Sequence, residues 1–228
     1  MYHGWFIALS ELSIVALGTA IIKNSYFKKF KTVPYYWLAF TMMTGVWEMS
    51  YVLDYDKTCN YSNELINTNR HTWENVYDIS YLLPTKFSKI FYGEYGAYAD
   101  RYYMDLTTTW SRTIETTHLV LCSLFSLLTF IFYKMGHTDK FICSYCIAMG
   151  GQLMNSILYM VNYFIQITDS NTVNYNTAEF PTGKFLSKRP FIYINVLWLI
   201  MPSILIYDIL EIKNKIMYTV IDNEEEDL

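Results

Sequence analysis

A chain of 228 residues that is 53 % hydrophobic and 18 % aromatic has room for one helical bundle and little else. Its formal net charge of −4, with no run of basic residues and no glycine-rich phosphate loop, excludes nucleic-acid and P-loop nucleotide partners. Tryptophan and tyrosine gather near the ends of the apolar segments, as the interfacial belts of a small polytopic membrane protein would require.

A helix rises about 1.5 Å per residue, so a hydrocarbon core of roughly 30 Å needs about 20 apolar residues. Five stretches qualify in chain order: Trp5–Ile22, Pro34–Leu53, Trp110–Tyr133, Phe141–Ile167 and Pro190–Leu210. The expected fold is therefore an all-α membrane protein, a single domain built as a five-transmembrane-helix bundle. The first stretch lacks a basic n-region and a small-residue cleavage site, so it reads as a retained span and not as a signal peptide. Lys23, Lys28, Lys29 and Lys31 in the first connection, with Lys134 and Lys140 between the third and fourth spans, put both connections in the cytoplasm and the N-terminus in the lumen. The long connections Asp54–Thr109 and Thr168–Arg189 then face the lumen or exterior. The C-terminus is cytoplasmic by parity: Lys213 and Lys215 lie near the last span, and Glu224, Glu225, Glu226 and Asp227 end a solvated acidic tail of about 212–228.

The cysteines point to packing. Cys143 and Cys146 form a C-x-x-C inside the fourth span without a neighbouring His or Cys, and Cys122 reads as a core residue. Cys59 stands beside Asn60-Tyr61-Ser62, a glycosylation sequon in the second connection. Neither a metal nor an organic cofactor is expected.

The polar groups inside the apolar segments carry the functional signal. Glu48 lies five residues before the end of the second span, Glu115 five after the start of the third, Asn195 five after Pro190, and Asn162 five before Ile167. All four then sit about 7–8 Å below the lumenal face. Asn195 and Trp198, three apart, share one helical face and suit a cavity lining better than a lipid contact. Glu115 and His118, also three apart, make an acid–imidazole pair, and Gln152, Asn155 and Asn162 form a stripe on the fourth helix. Each of those amides taken singly reads as interhelical glue, worth about 0.6 kcal/mol on average. Glu48 and Glu115 together do not, because two acids at matched depth would repel if both ionised and would share a proton. Glu11 is matched by nothing at its depth and reads as a satisfied or interfacial acid.

Trp47-Glu48 followed by Asp54-Tyr55, then Gly93–Tyr102 (GEYGAYADRY), Ile114–Thr117 (IETT), Gly151-Gln152 with Leu158-Tyr159, and Asn195–Pro202 with Asp208 form an ordered set. That set, over roughly 35–208, resembles the emopamil-binding protein family, the sterol Δ8–Δ7 isomerases of the EXPERA group. The resemblance implies five helices enclosing a sterol-sized cavity, an endoplasmic-reticulum location and an enzyme that moves a ring double bond. It puts Glu48 and Glu115 on the catalytic acids, Asn195 on the amide beside them and Trp198 on the aromatic that faces the developing cation. Thr44, Gln152, Tyr159, Tyr102 and Arg101 are the expected substrate-binding residues. The family carries a histidine one turn before the first acid where this chain has Thr44; His118 is expected to take over its proton-sharing role. Tyr95, Tyr98 and Tyr102 at helical spacing read as an interfacial amphipathic turn. A sterol and the lipid bilayer are the expected partners, and a homodimer is compatible with the flat helix faces. A non-catalytic protein that binds sterols or cationic amphiphiles is the alternative.

Overall fold

The computed structural model describes residues 1–176 and 193–226, with side chains at 1–175 and 193–211. The start of the fifth expected span at Pro190 and the side chains of the acidic tail lie outside the described residues. What is described is mostly helical. Strand β1 (Tyr2–His3) and helix α1 (Gly4–Tyr26) are followed by α2 (Thr32–Leu53), α3 (Tyr55–Thr68), β2 (Val76–Tyr77), α4 (Pro84–Tyr98) and α5 (Trp110–His118). A π-helical stretch, Leu119–Leu124, continues without a break into α6 (Phe125–Met135). Helices α7 (Thr138–Thr168), α8 (Val173–Asn176) and α9 (Asn195–Glu226) complete the described chain.

Helix ends have local causes. Proline stands in the first turn of α2 and opens α4, where its missing N–H costs nothing. Asn69 (φ 50°) and Gly136 (φ 72°) close α3 and α6 in the left-handed conformation that satisfies the last carbonyls. Pro202 lies inside α9, one of whose backbone hydrogen bonds it removes.

Among the described residues three helices are long and apolar enough to cross a membrane: Gly4–Tyr26, Trp110–Met135 and Thr138–Thr168. Helix α2 is of similar length but falls short in apolar content, and neighbours clothe it. It packs against α4, α5, the π stretch and α6, and it buries Thr41, Thr44, Glu48 and Ser50 along with Tyr35, Trp37, Trp47 and Tyr51. Helix α1 touches the bundle with Gly4, Ile7 and Glu11 while Leu9, Leu17 and Ile21 face outward. Outward apolar residues continue on α7 (Met154, Phe164, Ile165) and α9 (Leu197, Ile200, Ile204), the surface a bilayer would solvate.

The connection expected as one long loop, 54–109, is instead largely folded onto the bundle. Helices α3 and α4 pack on each other and on α2, because each is amphipathic enough to bury one face. Strands β1 and β2 pair antiparallel, Tyr2 opposite Tyr77 and His3 opposite Val76. There Gly4 N donates to Asn75 O at 2.9 Å, and a Cβ at Gly4 would collide with the Thr72 carbonyl.

Two aromatic-rich clusters form the interior. One holds Trp47, Tyr51, Tyr92, Tyr95, Tyr103 and Tyr159, and surrounds the site below. The other holds Phe30, Tyr35, Trp37, Phe130 and Tyr145, toward the short basic connections.

Candidate active site: two acids on one aromatic cavity

Side chains of α1, α2, α4, α5, α7 and α9 enclose a cavity of about 280 Å³. That is close to the lower end of the roughly 300–1,000 Å³ typical of small-molecule sites. Its walls are aromatic, with Phe40, Trp47, Phe87, Phe91 and Trp198 prominent, and its polar groups include Thr44, Glu48, Glu115, His118, Asn155 and Asn195.

Helix packing brings the acids together. Ser123 of the π stretch donates to Thr41 O at 2.8 Å, and it lies where a side chain at Gly45 would otherwise stand. This close approach seats the C-terminal end of α5 against α2, and a π stretch beginning right after His118 resets the helical register there. His118 Nδ1 consequently lies 2.6 Å from Glu48 Oε1, both side chains being buried. On the ring's far side, Nε2 lies 3.2 Å from Gln152 Nε2. Glu48 Oε2 has no partner among the described residues.

Glu115 is held differently. Tyr92 OH donates to its Oε2 at 2.8 Å, and Tyr103 OH donates to its Oε1. Tyr51 stacks on Tyr92 (centroids 4.3 Å apart) and donates to Tyr103 O at 2.7 Å, so one ring positions both phenols. A second hydroxyl chain starts at Asn195. Its Nδ2 donates to Tyr95 OH at 2.9 Å; Tyr95 and Tyr159 share a hydrogen bond, and Tyr159 OH donates to buried Asp100 at 2.8 Å. Trp198 packs edge-on to Trp37, with centroids 5.6 Å apart.

Of the residues singled out in the sequence, Glu48, Glu115, His118, Asn195, Trp198, Thr44 and Tyr159 line this cavity. Gln152, Arg101 and Tyr102 are not in its wall. Gln152 sits one layer behind His118, fully buried. Arg101 turns toward α3, donating to Ser62 Oγ and Gly96 O at 3.2 Å and to Asn63 Oδ1 at 2.6 Å. The 3₁₀ turn Arg101–Met104 points Tyr103, not Tyr102, inward. Asn162 is likewise outside the wall, and His118 meets Glu48 where the spacing had paired it with Glu115. Glu11 is buried, 1 % exposed, and only half satisfied: its Oε1 accepts from Trp47 Nε1 at 3.1 Å, while its Oε2 has no partner among the described residues. The Asn60 sequon lies on α3 with its Ser62 buried and bonded to Arg101.

Sequence reasoning missed Trp47, Tyr92, Tyr95 and Tyr103 as wall residues. Tyr92 and Tyr95, three apart, offered the same helical signal as Tyr95 and Tyr98, one register earlier. Of the three tyrosines read as an interfacial turn, Tyr95 is buried, 5 % exposed, and lines the cavity, whereas Tyr98 and Tyr102 are half-buried.

No protein-family model, curated protein or solved structure matches this chain.

Proposed function

We propose that this protein is an intramembrane sterol isomerase that shifts a ring double bond from Δ8 to Δ7, with Glu48 and Glu115 as its proton-transfer groups. The observation that carries the reading is the pair of buried carboxyls, supplied by neighbouring helices, opening on one aromatic-walled cavity. Moving an unactivated alkene needs a proton added to one carbon, a tertiary cation between, and a proton lost from the next carbon. One carboxyl breaks its O–H bond to protonate the alkene; the other, as carboxylate, takes the allylic proton as the new double bond forms. The two acids have then exchanged roles, so a proton must pass between them before the next turnover, which their common cavity permits. The faces of Trp198 and Trp47 stabilise the cation by about 2 kcal/mol once water is excluded. Asn195 orients Tyr95. The remaining parts of the proposal are five spanning helices, a lumenal N-terminus and an endoplasmic-reticulum membrane, with the rings in the cavity and the sterol tail reaching out between helices.

The same wall favours a second reading, a binding protein for sterols or cationic amphiphiles. Aromatic faces around an unpartnered carboxylate oxygen suit an ammonium, and Thr44 stands where the resembled family has its histidine. Sterol profiling decides between them, in a yeast strain lacking its own Δ8–Δ7 isomerase and expressing this chain. Restored Δ7-sterols that disappear with Glu115→Gln support the enzyme. Persistent Δ8-sterols alongside a well-expressed membrane protein leave the binder.

A further inference from the structure

The hydrogen-bond polarity behind His118 can be read without ambiguity, and it starts from an indole. An indole N–H only donates. Trp37 Nε1 lies 2.7 Å from Gln152 Oε1, so that amide atom is the oxygen and the other is the NH₂ group. Thr41 agrees: its hydroxyl gives its proton to Trp37 O at 2.9 Å, leaving the oxygen free to accept from Gln152 Nε2 at 3.3 Å. The second amide hydrogen is directed to His118 Nε2 at 3.2 Å, which must therefore be the bare nitrogen. An imidazole bare at Nε2 carries its proton on Nδ1, and Nδ1 faces Glu48 Oε1 at 2.6 Å.

We infer that Gln152, locked by Trp37 and Thr41, is a positioning residue that holds His118 as the neutral Nδ1–H imidazole, so that the ring turns its protonated nitrogen toward Glu48, a close polar contact outside hydrogen-bond geometry. A proton on Nε2 would set N–H against N–H, and inverting the amide would only move that conflict to Trp37. Both Gln152 and His118 are buried, at 0 % and 4 % exposure, so the frustrated group could not turn to bulk water. The ionisable groups around the ring are Glu48 on α2, Glu115 one turn earlier on α5, and Cys122 on the π stretch.

For the proposed reaction, on which this last step rests, the tautomer distributes the roles. Glu48 Oε1 lies 2.6 Å from His118 Nδ1 and its Oε2 has no partner among the described residues; a proton fixed on Nδ1 favours Glu48 as the carboxylate, so it is the base. The proton for the alkene then comes from Glu115, whose phenolic partners can rotate their O–H bonds when that carboxyl is protonated. His118 holds a proton and does not pass it on, unlike the proton-sharing histidine that it was expected to replace.

The test is ¹⁵N NMR of the full chain, labelled at its histidine rings and reconstituted in lipid nanodiscs, with His118→Asn to assign the signal among the four histidines. At pH 7 the wild type is expected to show a one-bond N–H coupling at Nδ1 and none at Nε2. Gln152→Glu replaces the donor with an acceptor and is expected to bring a proton to Nε2. Trp37→Phe frees the amide to invert and is expected to abolish the single tautomer. An Nε2–H or doubly protonated ring in the wild type would overturn the inference, as would an unchanged Nδ1–H pattern in both variants. Failed sterol conversion with the wild-type pattern intact would remove the isomerase and the base role of Glu48 while leaving the tautomer standing.

Discussion

The two aromatic clusters use similar residues to opposite ends. Toward the basic connections, Phe27, Phe30, Tyr35, Phe130 and Tyr133 meet ring on ring, with centroids as close as 4.6 Å for Phe30 and Tyr133. In the other cluster the rings are largely tyrosines, and most of their hydroxyls have an obligation: Tyr51 to Tyr103 O, Tyr92 and Tyr103 to Glu115, Tyr159 to Asp100. A ring fixed by its hydroxyl cannot also move to fill space, so the hydrogen-bonded cluster leaves a cavity where the hydrocarbon cluster closes. Aromatic content alone therefore says little; the partner of each hydroxyl decides whether a cluster is a core or a site.

The sharpest way to break this contrast is at the acids. Glu115→Gln or Glu48→Gln is expected to lower sterol conversion by about 10²–10⁴-fold, the usual worth of a positioned acid or base, with fold and membrane insertion retained. Conversion within a factor of two of wild type would mean that the cavity's acids are structural. In the closed cluster the expected loss is of stability instead. Phe130→Ala removes a ring packed against Phe27, Phe30 and Tyr35 and should cost about 3–5 kcal/mol, read as an earlier thermal transition in detergent. Phe91→Ala, from the cavity wall, should cost less and mainly alter ligand affinity, since its ring already borders open volume. Equal destabilisation by the two would erase the distinction drawn here.

A smaller effect is expected at Trp47, which joins α1 to the site. Trp47→Phe keeps most of the ring but takes the N–H donor from buried Glu11, an expected cost of about 1–3 kcal/mol for the orphaned acceptor. Adding Glu11→Leu to that variant should restore much of the loss. If Trp47→Phe alone is neutral in the same melting assay, the contact does not hold α1 to the bundle.

The helices were legible because apolar length is a property of the chain itself: Trp5–Ile22 became Gly4–Tyr26 and Phe141–Ile167 became Thr138–Thr168, each running on a few residues past its apolar stretch. Glu48, Glu115, Asn195 and Trp198 stood out for the same reason, as polar or indole groups in apolar surroundings. Helices α3 and α4 were not legible, since their polar, tyrosine-rich sequences take on order by packing against α2. Tyr92 and Tyr103 were missed because the atom that explains each, a carboxyl oxygen of Glu115, belongs to another helix. Arg101 was misread because a charge in a short turn has the same local pattern whether it faces a cavity or, as here, the side chains of α3. The histidine's partner depended on which helix α5 leans against, a choice made by Gly45 and Ser123.

The gentlest probe of the two clusters is thiol chemistry, because each has a cysteine: Cys59 buried within the hydroxyl-rich cluster and Cys146 packed against the hydrocarbon one. Cys59, on α3, is 0 % exposed, and burial pushes its thiol up to about 11. The thiolate is the reactive form, so with a raised value it is scarce at neutral pH and grows only as pH climbs toward about 11. A membrane-permeant maleimide at pH 7.5 should therefore label exposed Cys143 first, partly buried Cys146 next and Cys59 last. If the cavity's framework opened readily, Cys59 would react at a rate close to that of Cys143, and the rigidity ascribed to the hydroxyl network would be wrong. Slow labelling of Cys59 that accelerates in Tyr51→Phe would instead tie that rigidity to the hydrogen bond from Tyr51 to Tyr103, since the substitution removes one hydroxyl and leaves the ring.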